Sequence, residues 1–434
     1  MSDRYNAVII GAGIIGGAVG LELARKSFRT LNVDKLPAAG YGSTSNTCAI
    51  IRFHYSTAEG VAMARESYYH WLDWPKHIGA PDENGMAHYI NTGCLVIREE
   101  EGGYLDKVMA LLGDLNVAYD ELSPAEVVEL FPFIDTRRFG PPVTADDPRF
   151  GQPTGEAVAG GIYIPESGYI NDPQLACHNQ QRGCEAHGGR FLFNAEVVEI
   201  LTRGGRTAGI KLEDGSEILA PVVVNASGPH SFKINRMAGV EEGMKIKTRA
   251  LKREVCHVPS PRGLDFNTRG MMISDSDTGG YARPEVGNNL LVGSADPECD
   301  AKVWVDPDDY DQSFTEQWRT QVMRKAQRIP LLPIPEQQRG IVDLYDVADD
   351  WIPIYDVSDL PGFYLAVGTS GNQFKNAPVV GKLMAELITR VEGGQDHDND
   401  PVQLYLRYTR RTCDIGFFSR LRELNPDSSY TVMG

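Results

Sequence analysis

Three glycines and one acid offer the first chemistry. In YNAVIIGAGIIGGAVG an apolar run over residues 5–10 meets Gly11, Gly13 and Gly16 and passes into a helix-like segment. At such a strand-to-helix turn the first glycine permits the tight bend and the second lets backbone approach a pyrophosphate. The third lets the helix press on the sheet, its N-terminal N–H groups facing the negative charge. Asp34 ends the next strand-like run, RTLNVD, 18 residues after Gly16. A carboxylate there accepts hydrogen bonds from a ribose 2′-OH and disfavours a 2′-phosphate. The pattern reads as dinucleotide binding, against the alternative of a tight turn without ligand. Cys177 and Cys184, with His178 and His187 nearby, are metal-ligand types, but their spacing on an expected helix suits packed thiols better, and no metal is expected.

Holding such a turn requires a mixed α/β chain. GAVGLELARKS suits a helix and RTLNVD a second strand. After the polar turn GYGSTSNT (40–47) comes a helical stretch, EGVAMARESYYHWLDW, whose aromatic residues suit a core. Residues 86–150 alternate short strands with short helices. From 173 the order is helix PQLACHNQQRGCEAHGG, strand RFLFNAEVVEI, a hairpin around EDGSE, then PVVVNASG, whose continuous valines suit a sheet covered on both faces. Residues 245–305 suit an antiparallel sheet, and the helix SFTEQWRTQVMRKAQRI follows. From 362, GFYLAVGTSGNQFKNAPVVGKLMAELITRVE repeats the opening order of apolar strand, glycine turn and helix, so the first sheet is expected to be completed late in the chain.

With 434 residues, 42% of them hydrophobic, the chain has room for two domains or three small ones. A formal charge of −17, from 59 acids against 42 Lys and Arg, argues against nucleic acid and anionic membranes as partners. The acidic runs DPDDYD (306–311), DVADD (346–350) and DHDND (396–400) read as solvated loops. Residues 7–21 lack the basic n-region and cleavage site of a signal peptide, and no segment reaches the roughly 18 to 20 unbroken apolar residues of a membrane span. The seven cysteines are scattered and form no C-x-x-C pair, which fits a reducing, cytoplasmic setting better than a disulfide framework or zinc site.

Four segments then point one way: VIIGAGIIGGAVG with Asp34, GSTSNTCAIIR (42–52), VVNASGPHS (223–231) and GFYLAVGTSGNQFKNAPVVG (362–381). In order and spacing, over nearly the whole chain, they resemble the D-amino-acid-oxidase-like superfamily of FAD-dependent oxidoreductases. The look is closest to its branch of sarcosine oxidase, glycine oxidase and dimethylglycine dehydrogenase. The resemblance implies an α/β chain with a discontinuous, Rossmann-like FAD-binding domain (1–85, 154–240 and 340–400). An α+β substrate domain (86–153 and 241–339) would roof the flavin with an antiparallel sheet, and 401–434 would be a C-terminal extension packed on the FAD domain. It implies that Gly11, Gly13, Ile14 and Ile15, with Gly16 behind them, face the pyrophosphate, and that Asp34 and Lys35 hold the adenosine ribose. Gly42, Ser43 and Thr44 would follow the phosphates and ribityl chain, with Ala49 and Ile50 also at the cofactor. Val197 would meet the adenine through its backbone, and Ala226 and Gly228 would pass close by. Gly371, Asn372, Gln373, Phe374 and Lys375 would reach the ribityl chain and the pyrimidine edge, where a helix N-terminus stabilises negative charge.

By the same resemblance Arg52 and Lys375 stand where a substrate carboxylate is held, which suits a guanidinium fork and an ammonium point charge. The plain alternatives are a structural ion-pair partner and a helix-end surface residue. Tyr281 and Tyr345 stand where aromatic rings surround a bound amine, although core tyrosines are equally common. His54 is a candidate polar contact or general base, or else a satisfied structural histidine. The chain also departs from the branch. Asp343 replaces the cysteine bonded to flavin and Ser45 replaces a histidine, so FAD is expected to be noncovalent. Leu291 falls at the lysine credited with activating oxygen and Ala49 at an arginine beside the ring, which puts oxidase activity in doubt and leaves O₂ or an electron-transfer acceptor open. The implied reaction is oxidation of the C–N bond of a small amino acid or N-methylated amino acid, by hydride transfer to flavin and imine hydrolysis. The alternatives are a hydroxy-acid or polyol dehydrogenase, a noncatalytic flavoprotein subunit, and an NAD-binding protein, which the late glycine turn disfavours.

Overall fold

A computed structural model describes residues 4–155 and 157–434. Its first layer is a six-stranded sheet in the order Ile354–Val357, Phe363–Val367, Val222–Asn225, Ala7–Ile10, Thr30–Val33, Arg190–Leu192. All neighbours are parallel except the first pair. Side chains alternate between faces along each strand. Ala7, Ile9, Val222 and Val224 pack with residues of helices Ile14–Arg25, Pro173–Ala186 and Ala377–Glu392, whereas Val8, Ile10, Val223 and Leu365 pack against a small sheet of Val197–Arg203, Arg206–Leu212 and Glu217–Leu219. Cover on both faces is why these strands read as unbroken apolar runs.

The second layer is an eight-stranded sheet ordered Gly340–Ala348, Thr248–Pro259, Asn289–Ser294, Gly280–Glu285, Met272–Asp275, Cys94–Arg98, Gly160–Ile164, Asp120–Leu122. Only Met272–Asp275 and Cys94–Arg98 are parallel. Cys256, Val258, Leu290 and Val292 turn one face toward helix Glu316–Arg328 and its Trp318 and Val322. The other face looks back at the first sheet.

Several expectations change. RFLFNAEVVEI is two strands in two sheets, because Asn194 between them adopts a left-handed φ of 54° and breaks the run. Strands Gly160–Ile164 and Gly340–Ala348, expected with the cofactor domain, hydrogen-bond into the eight-stranded sheet. The acidic runs are not simply solvated. Asp346 and Asp350 are buried, the latter ion-paired with Arg422 at 2.7 Å, and Asp398 pairs with Arg420 at 2.8 Å. Cys177 and Cys184 contact the Ala12 carbonyl and Thr30 hydroxyl separately, so they form no metal cluster. The one group of ligand-type side chains among the described residues, Asp82, Glu83 and His178, is engaged with Asn179 and Arg182. No helix among the described residues is long and apolar enough to cross a membrane.

Candidate active site

A cavity of about 850 Å³ lies where the C-terminal ends of Ala7–Ile10, Thr30–Val33 and Val222–Asn225 meet the open face of the eight-stranded sheet. This is toward the upper end of the roughly 300–1,000 Å³ usual for small-molecule sites, at the strand ends where open α/β sheets bind ligands. At one end Gly11 takes φ +114°, and a Cβ there would overlap the Ala226 carbonyl oxygen, so the two strand ends can touch only at glycine. Gly13 opens on the cavity, where a Cβ would meet only Thr44 Oγ1, at 3.1 Å. Ile14 and Ile15 line the same wall, and the Ile14 N–H donates to Thr44 Oγ1 at 3.1 Å. Gly16 lies behind, against Gly11, and lines nothing.

Asp34 lines this end with both carboxylate oxygens accepting backbone N–H groups, from Ala12 at 2.8 Å and Leu36 at 2.9 Å. Burial pushes its pKa up against those bonds. Lys35 pairs with Asp308 at 2.6 Å, and Asp308 also meets His230 Nε2 at 2.8 Å and Lys233 Nζ at 2.6 Å. The acidic run 306–311 is therefore a rim bridging roof and floor, which its composition alone did not reveal. Gly42, Ser43, Thr44, Ala49, Ile50, Val197, Ala226 and Gly228 complete the wall. Asp343 accepts hydrogen bonds from Asn46 Nδ2 at 2.6 Å and Ser43 Oγ at 3.4 Å.

The other end is built by helix Ala58–Leu72 and the turn after Phe363–Val367. Thr57 caps the helix by accepting from Gly60 N–H at 3.2 Å. Trp71 Nε1 donates to the Lys375 carbonyl at 2.7 Å, and its ring stacks on Phe374 at 5.5 Å, so a buried helix face holds the turn. Gly371 has φ +70°, and a Cβ on it would overlap the Tyr345 ring. Gly371, Asn372, Gln373, Phe374 and Lys375 all line the cavity. Lys375 Nζ donates to Tyr55 Oη and the Asn372 carbonyl, both at 2.8 Å. Arg52 lies across the same tyrosine, its Cζ 4.4 Å from the ring centroid.

Arg52 and Lys375 are thus brought together with His54, and all three are buried. Neither cation pairs with a carboxylate among the described residues. Burial, then Arg52, pushes the Lys375 pKa well down, and burial, then Arg52, then Lys375, does the same to His54. Both His54 ring nitrogens lack a hydrogen-bond partner. Arg52 is already engaged: its Nη1 donates to the His54 carbonyl and its Nη2 to the carbonyls of Val432 (2.8 Å) and Met433 (2.9 Å). The segment 401–434 therefore does more than pack on the first layer, since its end lines the cavity.

Tyr281 and Tyr345 form the roof, Tyr281 Oη lying 3.6 Å from Cys48 Sγ. Leu291 pairs with His257 and Arg283 within the roof sheet and is not on the cavity wall. Sequence reasoning missed Tyr55, Arg253, Asp296, Val432 and Met433. Tyr55 was legible as the neighbour of His54 in RFHY. Arg253, which ion-pairs with Asp296 and faces Tyr345, sits between Lys252 and Glu254 in LKREVCHVP, so nothing local singles it out. Val432 and Met433 carry no local signal.

The chain resembles known proteins over most of its length. The chain is 25% identical to glycine oxidase of Geobacillus kaustophilus over 91% of its own length and 96% of that protein's. It is 24% identical to sarcosine oxidase subunit beta of Rhodobacter capsulatus, over 89% of this chain and 85% of that one. Its fold matches the crystal structure of L-proline dehydrogenase from P. horikoshii with a TM-score of 0.73 at 21% identity, covering 97% and 98% of the two chains. Residues 6–387 match the family described as DAO: FAD dependent oxidoreductase, and the chain belongs to that family.

Proposed function

We propose that this FAD-dependent oxidoreductase oxidises the C–N bond of a small amino acid or N-methylated amino acid, with the substrate carboxylate held at Lys375 and Arg52. One observation carries the reading. Two basic side chains and a histidine are buried around Tyr55, and no side-chain carboxylate among the described residues pairs with them. Buried charge without a counter-ion is costly, and an anionic ligand supplies one. The likeness to glycine oxidase and to a sarcosine oxidase subunit supports an amino-acid carboxylate as that anion.

The residues present fit FAD. Gly13 leaves its side of the cavity open, the helix Ile14–Arg25 starts there with no side-chain cap from its N-cap residue Gly13, and Asp34 offers a carboxylate at the end of the second strand. In this reading Gly11, Gly13, Ile14 and Ile15 face the pyrophosphate, Asp34 and Lys35 the ribose, Gly42, Ser43 and Thr44 the phosphates, and Val197 the adenine. Ala49, Ile50, Ala226, Gly228 and residues 371–375 hold the rest of the cofactor. The cofactor unit takes 1–85, 154–240 and 340–400 apart from the two strands that join the roof. Bound FAD supplies the two-electron acceptor. Lys375 orients the carboxylate, Tyr281 and Tyr345 wall the amine and exclude water, and neutral His54 offers a ring nitrogen to the substrate's proton.

The test is anaerobic reduction of the bound flavin by a panel of N-methylated and ordinary amino acids and by hydroxy acids, followed by reoxidation with O₂ or an artificial acceptor. Reduction by amino acids alone is expected. Reduction by hydroxy acids alone supports the second reading, C–O oxidation, for which the two unpartnered nitrogens of His54 supply a base. Reduction by neither points to a noncatalytic subunit.

A further inference from the structure

The segment 428–434 runs from the first layer into the cavity. Ser428 Oγ donates to the Asp350 carbonyl at 2.5 Å, Val432 N–H donates to Asp296 Oδ2 at 3.2 Å, and the Val432 side chain packs with Leu251, Val347 and Trp351. Met433 Sδ lies 3.9 Å from Ser274 Oγ in the roof. The Gly434 carbonyl accepts from Ser56 N–H at 3.0 Å and Ser56 Oγ at 2.5 Å. Between these anchors the carbonyls of Val432 and Met433 take Arg52 Nη2.

A guanidinium offers a carboxylate two forked edges, Nε with Nη2 and Nη1 with Nη2. Both edges need Nη2, which has two hydrogens, and both are donated to residues 432 and 433. With this segment in place Arg52 cannot fork a carboxylate. We infer that Val432 and Met433 form a specificity-determining latch: their carbonyls hold the Arg52 edge that a substrate carboxylate takes, and a ligand must displace them to complete the site. The inference rests on the carboxylate reading above.

The exchange selects for charge. The Arg52–carbonyl bonds already have one ionised partner, but they leave the buried guanidinium charge without a counter-ion. A carboxylate therefore gains by replacing the two backbone carbonyls, whereas an amide or alcohol of the same size offers Arg52 nothing that it lacks. The displaced N–H groups are those of Val432, Met433 and Gly434, bonded to Asp296, Thr431 Oγ1 and the Thr431 carbonyl. Their loss of protection reports opening directly.

The experiment uses the FAD-loaded full chain with acetate as the probe and acetamide as the neutral control. Acetate binding is followed by the flavin absorbance change and by hydrogen exchange at residues 432–434. Saturating acetate is expected to speed exchange there at least tenfold, with acetamide without effect. A chain ending at Thr431 is expected to bind acetate at least tenfold more tightly. Acetate that binds while exchange at 432–434 stays unchanged or slows overturns the latch and leaves the carboxylate reading standing. Acetate that perturbs neither chain, together with N-methylated and ordinary amino acids that leave the flavin oxidised, overturns that reading and the latch with it.

Discussion

Carboxylate binding should take up a proton, and Lys375 is where that proton goes. In the ligand-free site burial, and then the charge of Arg52, holds the Lys375 pKa well below its usual range. A carboxylate at Nζ favours the ammonium form and returns the pKa toward or above the ordinary value of about 10.4. The bound state therefore carries the extra proton, so while acetate stays ionised its affinity falls as pH rises between the depressed and the restored pKa. Each pH unit in that interval is worth about 1.36 kcal/mol, so the Kd for acetate should rise about tenfold per unit. His54, depressed by the same neighbours, is the competing acceptor, and Lys375→Met tells them apart. Nζ already gives two hydrogen bonds, leaving one hydrogen for ligand. Its loss should cost about 1.5–3 kcal/mol at low pH, roughly 10- to 150-fold in Kd, and the slope should flatten. Acetate titrations of the FAD-loaded protein across pH, with calorimetry in buffers of different ionisation enthalpy, measure both. A wild-type Kd independent of pH without proton uptake would refute the reasoning, as would a slope that survives in Lys375→Met.

Gly13→Leu should abolish flavin binding while leaving the fold, because its side chain enters the cavity past Thr44 Oγ1; a yellow, fully loaded variant contradicts this. Gly11→Ala should instead lower the melting temperature of the apoprotein, since its Cβ overlaps the Ala226 carbonyl at a left-handed φ. His54→Leu removes two unpartnered buried nitrogens, each a cost of about 1–3 kcal/mol, so Tm should rise while flavin reduction slows by roughly 10²-fold or more; a lower Tm or an unchanged rate counts against it. Burial raises the Asp346 carboxyl from 3.8 to about 7, so its contribution to stability is complete below the unfolded value and is lost as pH climbs toward 7, by up to about 4 kcal/mol. Asp346→Asn should flatten the decline of Tm between pH 4 and 7, and an unaltered slope would exclude Asp346 as its source.

The first layer was legible because its information is local. Gly11, Gly13 and Gly16 follow a buried strand, and the valines of 222–224 and the run Phe363–Val367 are apolar on both faces. The roof was less so. Gly160–Ile164 and Gly340–Ala348 carry no mark of which sheet they join, because pairing is decided by distant partners. Asp346 looked like part of a solvated acidic run, yet its burial follows from contacts with Ser231 and Gly368, 115 and 22 residues away.

By itself the sequence determined the nucleotide-binding turn, the acid that follows it and the late return of the chain to the same sheet, since spacing along one strand and helix sets each of these. Its resemblance to a known family brought Arg52, His54 and Lys375 forward as candidates around the substrate. Only the tertiary structure decided what Arg52 touches. Its Nη2 is taken by carbonyls 380 and 381 residues away, a meeting that no local pattern encodes because backbone carbonyls are the same at every position.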